Sequence, residues 1–231
     1  MRFVLLHSPL TGPLAWSPVA GELAKRGVGG ILPVIPPLGE LTAPLYADVS
    51  HAVASQILGQ GGPFVLAVHS GAGGLAPAIV AAAGGQVEAV LYVDAILPHP
   101  GRSWFETASV ALGEHLKAKV VDGMVPAWDQ WLPPRALAEL LPDDVMREAF
   151  VAELRPTPLA WFEERAPEID LPSDVGSGFL RLSESYDSEA EEAQRLGWPA
   201  LRRNLHHLAM ATHPEDVTTN MLALARALKA A

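Results

Sequence analysis

The chain has 231 residues, 49% of them hydrophobic and 18% charged, a composition that packs into one globular domain rather than a disordered tract. A formal net charge of −10 argues against a nucleic-acid partner, whose phosphates need a basic surface. The absence of cysteine excludes disulfides, thiolate zinc sites and a cysteine nucleophile, and it fits a reducing compartment.

Short apolar runs alternate with amphipathic stretches through the first half of the chain. Phe3 to Leu6 reads as a buried strand, and Trp16 to Arg26 as a helix stopped by Gly27. Gly30 to Ile35 is a second short strand closed by Pro36 and Pro37, followed by a helix over Tyr46 to Leu58. Phe64 to Val68 is a strand, Gly73 to Ala83 a helix, and Val87 to Val93 a further strand. Continuous apolar strands alternating with helices predict an α/β fold, a mostly parallel sheet covered on both faces. Ligands of such sheets bind at the carboxyl ends of the strands.

Between Pro98 and Pro172 the rhythm changes to helices without strands, and four of the six Trp fall here: Trp104, Trp128, Trp131 and Trp161. This segment, 98–172, is expected to form a helical cap over a core made of 1–97 and 173–231. Trp104, Trp128 and Trp131 are candidates for an apolar pocket wall, against the plainer reading that they are cap core. The αβ pattern resumes with a strand at Phe179 to Leu182, a helix from Ser188, a strand over Pro199 to Leu205 and a terminal helix over Pro214 to Lys229. That makes about six strands. The N-terminal apolar run is too short for a signal peptide, and no stretch of about 18 apolar residues predicts a membrane span. A cytoplasmic protein is the expectation, with oligomeric state open.

The chemistry concentrates at Val68-His69-Ser70-Gly71-Ala72-Gly73, where a strand runs straight into a helix. A serine on that elbow has its hydroxyl pushed out over the sheet, and small neighbours let the backbone segments approach. Amides at the start of the helix then face any oxyanion that develops. The usual Gly-x-Ser-x-Gly has Val68 and Ala72 in place of its glycines, so a plain glycine-rich turn is the alternative. A phosphate loop is disfavoured, because neither Gly-Lys-Ser/Thr nor Gly-x-Gly-x-x-Gly is present.

A general base must come from elsewhere, and a His on the loop after the last strand can reach such a serine. Leu205-His206-His207-Leu208-Ala209-Met210 stands there, with Pro214 seven residues beyond His207. This spacing resembles the catalytic-His loop of the α/β-hydrolases, especially the plant methylesterase and hydroxynitrile lyase group. The segment His7-Ser8-Pro9-Leu10-Thr11-Gly12 followed by Trp16 resembles the oxyanion loop of that fold, and small actinobacterial α/β-hydrolases look similar throughout. The resemblance covers nearly the whole chain, without the fold's two usual leading strands. It implies Ser70 as nucleophile and His207 as base, with His206 in a packing role. No metal or other cofactor is expected, since nothing supplies a glutamate between helical His pairs to accompany His206, His207 and His213.

The acid has three candidates. Most α/β-hydrolases place it after the strand that follows the cap, which points to Asp187 with Glu184 as a neighbour, although Asp187 also reads as a helix N-cap. Haloalkane-dehalogenase-like enzymes use the end of the strand after the nucleophile helix, which points to Asp94.

The resemblance also implies two oxyanion N–H donors, at Gly71 and at the second residue after His7. The latter is Pro9, which has no N–H. Leu10 by a loop shift, or Ser8 by its hydroxyl, would have to replace it. The leading expectation is a serine-dependent hydrolase of a small, largely apolar ester, lactone or thioester. The alternatives are a lyase using Ser70 and His207 as an acid–base pair, and a non-catalytic ligand-binding protein on the same scaffold. Epoxide hydrolase or dehalogenase chemistry would need Asp at position 70.

Overall fold

The computed structural model describes residues 1–133 and 135–230. Six strands form one sheet: β1 (Arg2–Leu6), β2 (Gly29–Ile31), β3 (Phe64–Ser70), β4 (Val87–Ala95), and, beyond the 98–172 segment, β7 (Gly176–Arg181) and β8 (Ala200–Arg202). Their order is β2-β1-β3-β4-β7-β8, and every pair is parallel.

The two faces of the sheet are buried separately because side chains alternate along each strand. Phe3, Leu5, Val65 and Ala67 pack under α1 (Ser17–Lys25) and α11 (Pro214–Ala230). Val4, Leu6, Leu66 and Val68 pack under α2 (Leu45–Ile57) and α3 (Ala76–Ala82). Full burial of one such side chain stabilises by about 1.5–3 kcal/mol, so these central strands anchor the site above them.

The order of strands reverses at β1: β2 lies on one side of it, and β3, β4, β7 and β8 follow on the other. The crevice outside the carboxyl ends of β1 and β3 is therefore the switch point of the sheet. At Ser70 the β3–β4 register shifts, with His69 opposite Val93 and Ser70 opposite Ala95. The chain then enters a tight 3-10 turn, Gly71–Leu75, before α3. A Cβ on Gly73 would stand 1.8 Å from the Ile96 carbonyl oxygen, so only glycine lets this turn pass so close to the strand-end backbone.

Several boundaries differ from the sequence expectation. β2 stops at Ile31 rather than Ile35, because Pro33 and Pro36 cannot donate to a ladder. β7 starts at Gly176, not Phe179; Leu228 covers Gly176 and Leu91 packs against Gly178, supplying the apolar cover that the glycines lack. β8 ends at Arg202 rather than Leu205.

The 98–172 segment is not free of strands. Its helices α4 (Trp104–Thr107), α5 (Val110–Lys117), α6 (Ala136–Leu140), α7 (Asp144–Glu153) and α8 (Leu159–Glu163) flank a two-residue antiparallel ladder of β5 (Met124–Val125) and β6 (Thr157–Pro158). The rest of the chain adds α9 (Asp187–Arg195) and α10 (Ala209–Thr212). Among the described residues, no helix is long and apolar enough to cross a membrane.

Candidate active site

Ser70 closes β3 with φ +55°, a left-handed backbone setting that non-glycine residues adopt only when their surroundings enforce it. Asp94, near the end of the neighbouring β4, has φ +45° and is fully buried. Two such outliers at adjacent strand ends mark where the fold holds side chains against local preference.

Asp94 is the carboxylate that reaches His207. His207 Nδ1–H donates to Asp94 Oδ2 at 2.8 Å, and the Ser183 hydroxyl donates to the same oxygen at 2.6 Å. Asp94 Oδ1 accepts the amides of Leu182 (2.7 Å) and Ser183 (2.9 Å). Burial pushes this carboxyl toward protonation, but hydrogen bonds from His207 and Ser183 outweigh it and hold its pKa below the usual value. An ionised Asp94 keeps the His207 proton on Nδ1 and leaves Nε2 with the lone pair a general base uses.

Asp187 does not share this arrangement. Arg181 Nε donates to its Oδ1 at 2.7 Å and Arg202 Nη1 at 3.2 Å, and the Arg181 contact draws its pKa down. Arg181 is itself almost buried and needs a counter-charge, which fixes Asp187 away from His207. Asp187 is also the first residue of α9 rather than its N-cap. Glu184 is exposed on the 3-10 turn Glu184–Tyr186, at the rim of a cleft.

Two residues at this site were not singled out from the sequence. Tyr186 Oη lies 3.3 Å from Ser70 Oγ, and its ring stacks on His207 at 5.1 Å with 6° between the planes. Among the described residues it is the one hydrogen-bond partner of the Ser70 hydroxyl. Burial raises the Tyr186 phenol pKa, keeping it protonated. His69 is fully buried beneath His207, ring centroids 4.4 Å apart, and its Nε2–H donates to the His207 carbonyl at 2.9 Å. Burial also pulls the His69 pKa well below its ordinary value, so the ring stays neutral and ties down the loop. A histidine beside a Gly-rich serine turn and a tyrosine before an acidic helix are common sequences, and only the tertiary contacts distinguish them.

The loop after β1 supplies the other side of the site. His7 Nδ1–H donates to the Ser8 carbonyl at 2.7 Å and Nε2 accepts the Ile35 amide at 3.1 Å. Burial lowers the His7 pKa to about 4, so it is a neutral brace. Of the two replacements open for Pro9, the Leu10 amide donates to Ser8 Oγ at 3.2 Å. Ser8 Oγ lies 3.7 Å, and Pro9 Cδ 3.6 Å, from where a Cβ on Gly71 would sit. The Ser8 hydroxyl, having accepted from Leu10, keeps its own proton to donate.

Two clefts are lined by residues of this site. One, of about 370 Å³, is lined by Pro9, Leu10, Val34, Ile35, Leu38 and Arg155 on the β1 side. The other, of about 570 Å³, is lined by Trp128, Leu132, Leu140, Ser183, Tyr186 and His207. Of the three Trp candidates, Trp128 borders that cleft with its ring 6.1 Å from His207. Trp131 packs edge-on to Trp128 outside the clefts. Trp104, partly buried, packs into an aromatic cluster with Phe105 and the buried Phe162. His206 and His213 both meet the Thr212 hydroxyl, at 2.8 and 2.9 Å. No group of three or more His, Asp or Glu among the described residues is placed to hold a metal ion.

No protein-family model and no curated relative matches the chain. Solved structures do. The chain is similar to an extracellular α/β-hydrolase from a Paenibacillus species, at 18% identity and TM-score 0.74 over 97% of this chain and 98% of that one. It is similar to a pyrethroid hydrolase from Sphingobium faniae, at 16% identity and TM-score 0.76 over 98% of both chains. A polyneuridine aldehyde esterase aligns at 15% identity and TM-score 0.65, over 96% of this chain and 98% of that one. Identity this low speaks for architecture, and it agrees with the strand order and the serine elbow at the switch point. The chain has the α/β-hydrolase fold.

Proposed function

We propose that the chain is a serine-dependent hydrolase of small, largely apolar esters, with Ser70, His207 and Asp94 as its catalytic groups. The observation that carries this is the 2.8 Å bond from His207 to a buried, hydrogen-bonded Asp94, beside a serine held at positive φ on the next strand. His207 Nε2 takes the Ser70 proton as Oγ attacks the carbonyl carbon. The oxyanion accepts from the Gly71 amide and the Ser8 hydroxyl. The alkoxide leaves with the proton from His207, and water, activated by the same base, releases the acyl group.

Ser70 and His207 are not hydrogen-bonded to each other at rest, which is ordinary for a site that tightens only around substrate. The 98–172 segment acts as the cap, with Trp128, Leu132 and Leu140 walling the cleft beside His207. The named hydrolases and esterase among the structural neighbours favour hydrolysis over the elimination that the same residues could perform.

Turnover of ethyl and p-nitrophenyl butyrate tests the reading. Ser70→Ala and His207→Ala should each lose at least about 10³-fold in kcat/KM. Equal rates in wild type and both variants would contradict it.

A further inference from the structure

The sheet order separates the groups around Ser70. Of the proposed oxyanion donors, Ser8 comes from the loop after β1 and Gly71 from the end of β3, whereas Asp94, Tyr186 and His207 follow from β4, β7 and β8 on the other side. An acyl carbonyl directed at Ser8 and Gly71 sends its leaving group toward His207 and the larger cleft. Tyr186 lines that cleft, its hydroxyl 3.3 Å from Ser70 Oγ and its ring stacked on the imidazole that must deliver the proton.

We propose that Tyr186 is a catalytic hydrogen-bond donor to the leaving-group oxygen, making the site selective for oxygen esters of poor leaving groups over thioesters. At rest the Tyr186 and Ser70 hydroxyls are hydrogen-bonded to each other, with either oxygen able to donate. As Oγ bonds to the carbonyl carbon, the Tyr186 hydroxyl is released to the neighbouring alkoxy oxygen. The C–O bond then breaks, its electron pair goes to that oxygen, and His207 supplies the proton. Tyr186 keeps its own proton throughout. The raised phenol pKa supports a donor rather than a base. An alkoxide gains most from such a donor, whereas p-nitrophenoxide needs little help and a thiolate sulfur accepts weakly.

The inference rests on the serine-hydrolase reading, and one experiment separates the two. Tyr186→Phe keeps the ring stacked on His207 and removes only the hydroxyl. Its kcat/KM for ethyl butyrate should fall about 10–100-fold, the worth of one hydrogen bond to a developing charge. For p-nitrophenyl butyrate and S-ethyl thiobutyrate the fall should stay under about threefold, a difference that a structural role would not create. A uniform loss over the three substrates, or no loss on ethyl butyrate, overturns the role of Tyr186 while wild-type Ser70 still takes up a fluorophosphonate. A folded wild type whose Ser70 is not labelled overturns both readings together.

Discussion

Asp94→Asn should lower kcat/KM for an ester by about 10⁴-fold, the scale on which a misplaced His tautomer acts in serine hydrolases. Asp94 offers only acceptors, and both oxygens are occupied, by the Leu182 and Ser183 amides on one and by Ser183 and His207 on the other. An Asn amide has one oxygen for these four donors. If it keeps the two backbone amides, its NH₂ faces His207, Nδ1 must become the acceptor, and the proton moves to Nε2, where a base cannot use it. If it flips, two buried amides lose their acceptor and the strand end destabilises instead. Asp187→Asn should leave kcat/KM within about threefold, because that carboxylate serves Arg181 and Arg202 on a half-exposed face. Steady-state kinetics on both variants, with a thermal melt to separate fold from chemistry, checks the pair. A large loss in Asp187→Asn with little in Asp94→Asn would reverse the assignment.

Ser8→Ala should cost about 10²–10³-fold in kcat with a small change in KM, because the lost contact forms only with the oxyanion. Pro9 brings no N–H, so without the Ser8 hydroxyl Gly71 is the one proposed donor left, while the Leu10 amide loses its acceptor. Ser8→Thr keeps a hydroxyl and should recover most of the rate. A Ser8→Ala enzyme as fast as wild type would mean that the oxyanion is held by groups other than these.

The sheet was legible because its inner strands are uninterrupted apolar runs: Phe3 to Leu6, Phe64 to Val68 and Val87 to Val93 all became strands, in one parallel sheet. Ser70 stood out by its glycine-rich surroundings and His207 by its distance from Pro214. Where β7 begins was hidden because Gly176 and Gly178 borrow apolar cover from Leu228 and Leu91, residues distant in sequence. The two-residue β5–β6 ladder carries no pattern long enough to read.

Choosing between Asp94 and Asp187 needed the third dimension. Both follow strands at the active edge, and only the place of Arg181, nearly buried and pointing at Asp187, removes one of them from His207. Tyr186 was invisible for the same reason, since its meaning lies in a stacking contact with a ring 21 positions away.

Covalent capture tests Ser70 as the nucleophile directly. Wild-type protein treated with a fluorophosphonate should gain one adduct, mapped by peptide mass spectrometry to Ser70, while Ser70→Ala gains none and His207→Ala reacts far more slowly. A folded wild type that stays unlabelled, or an adduct that persists in Ser70→Ala, would contradict it.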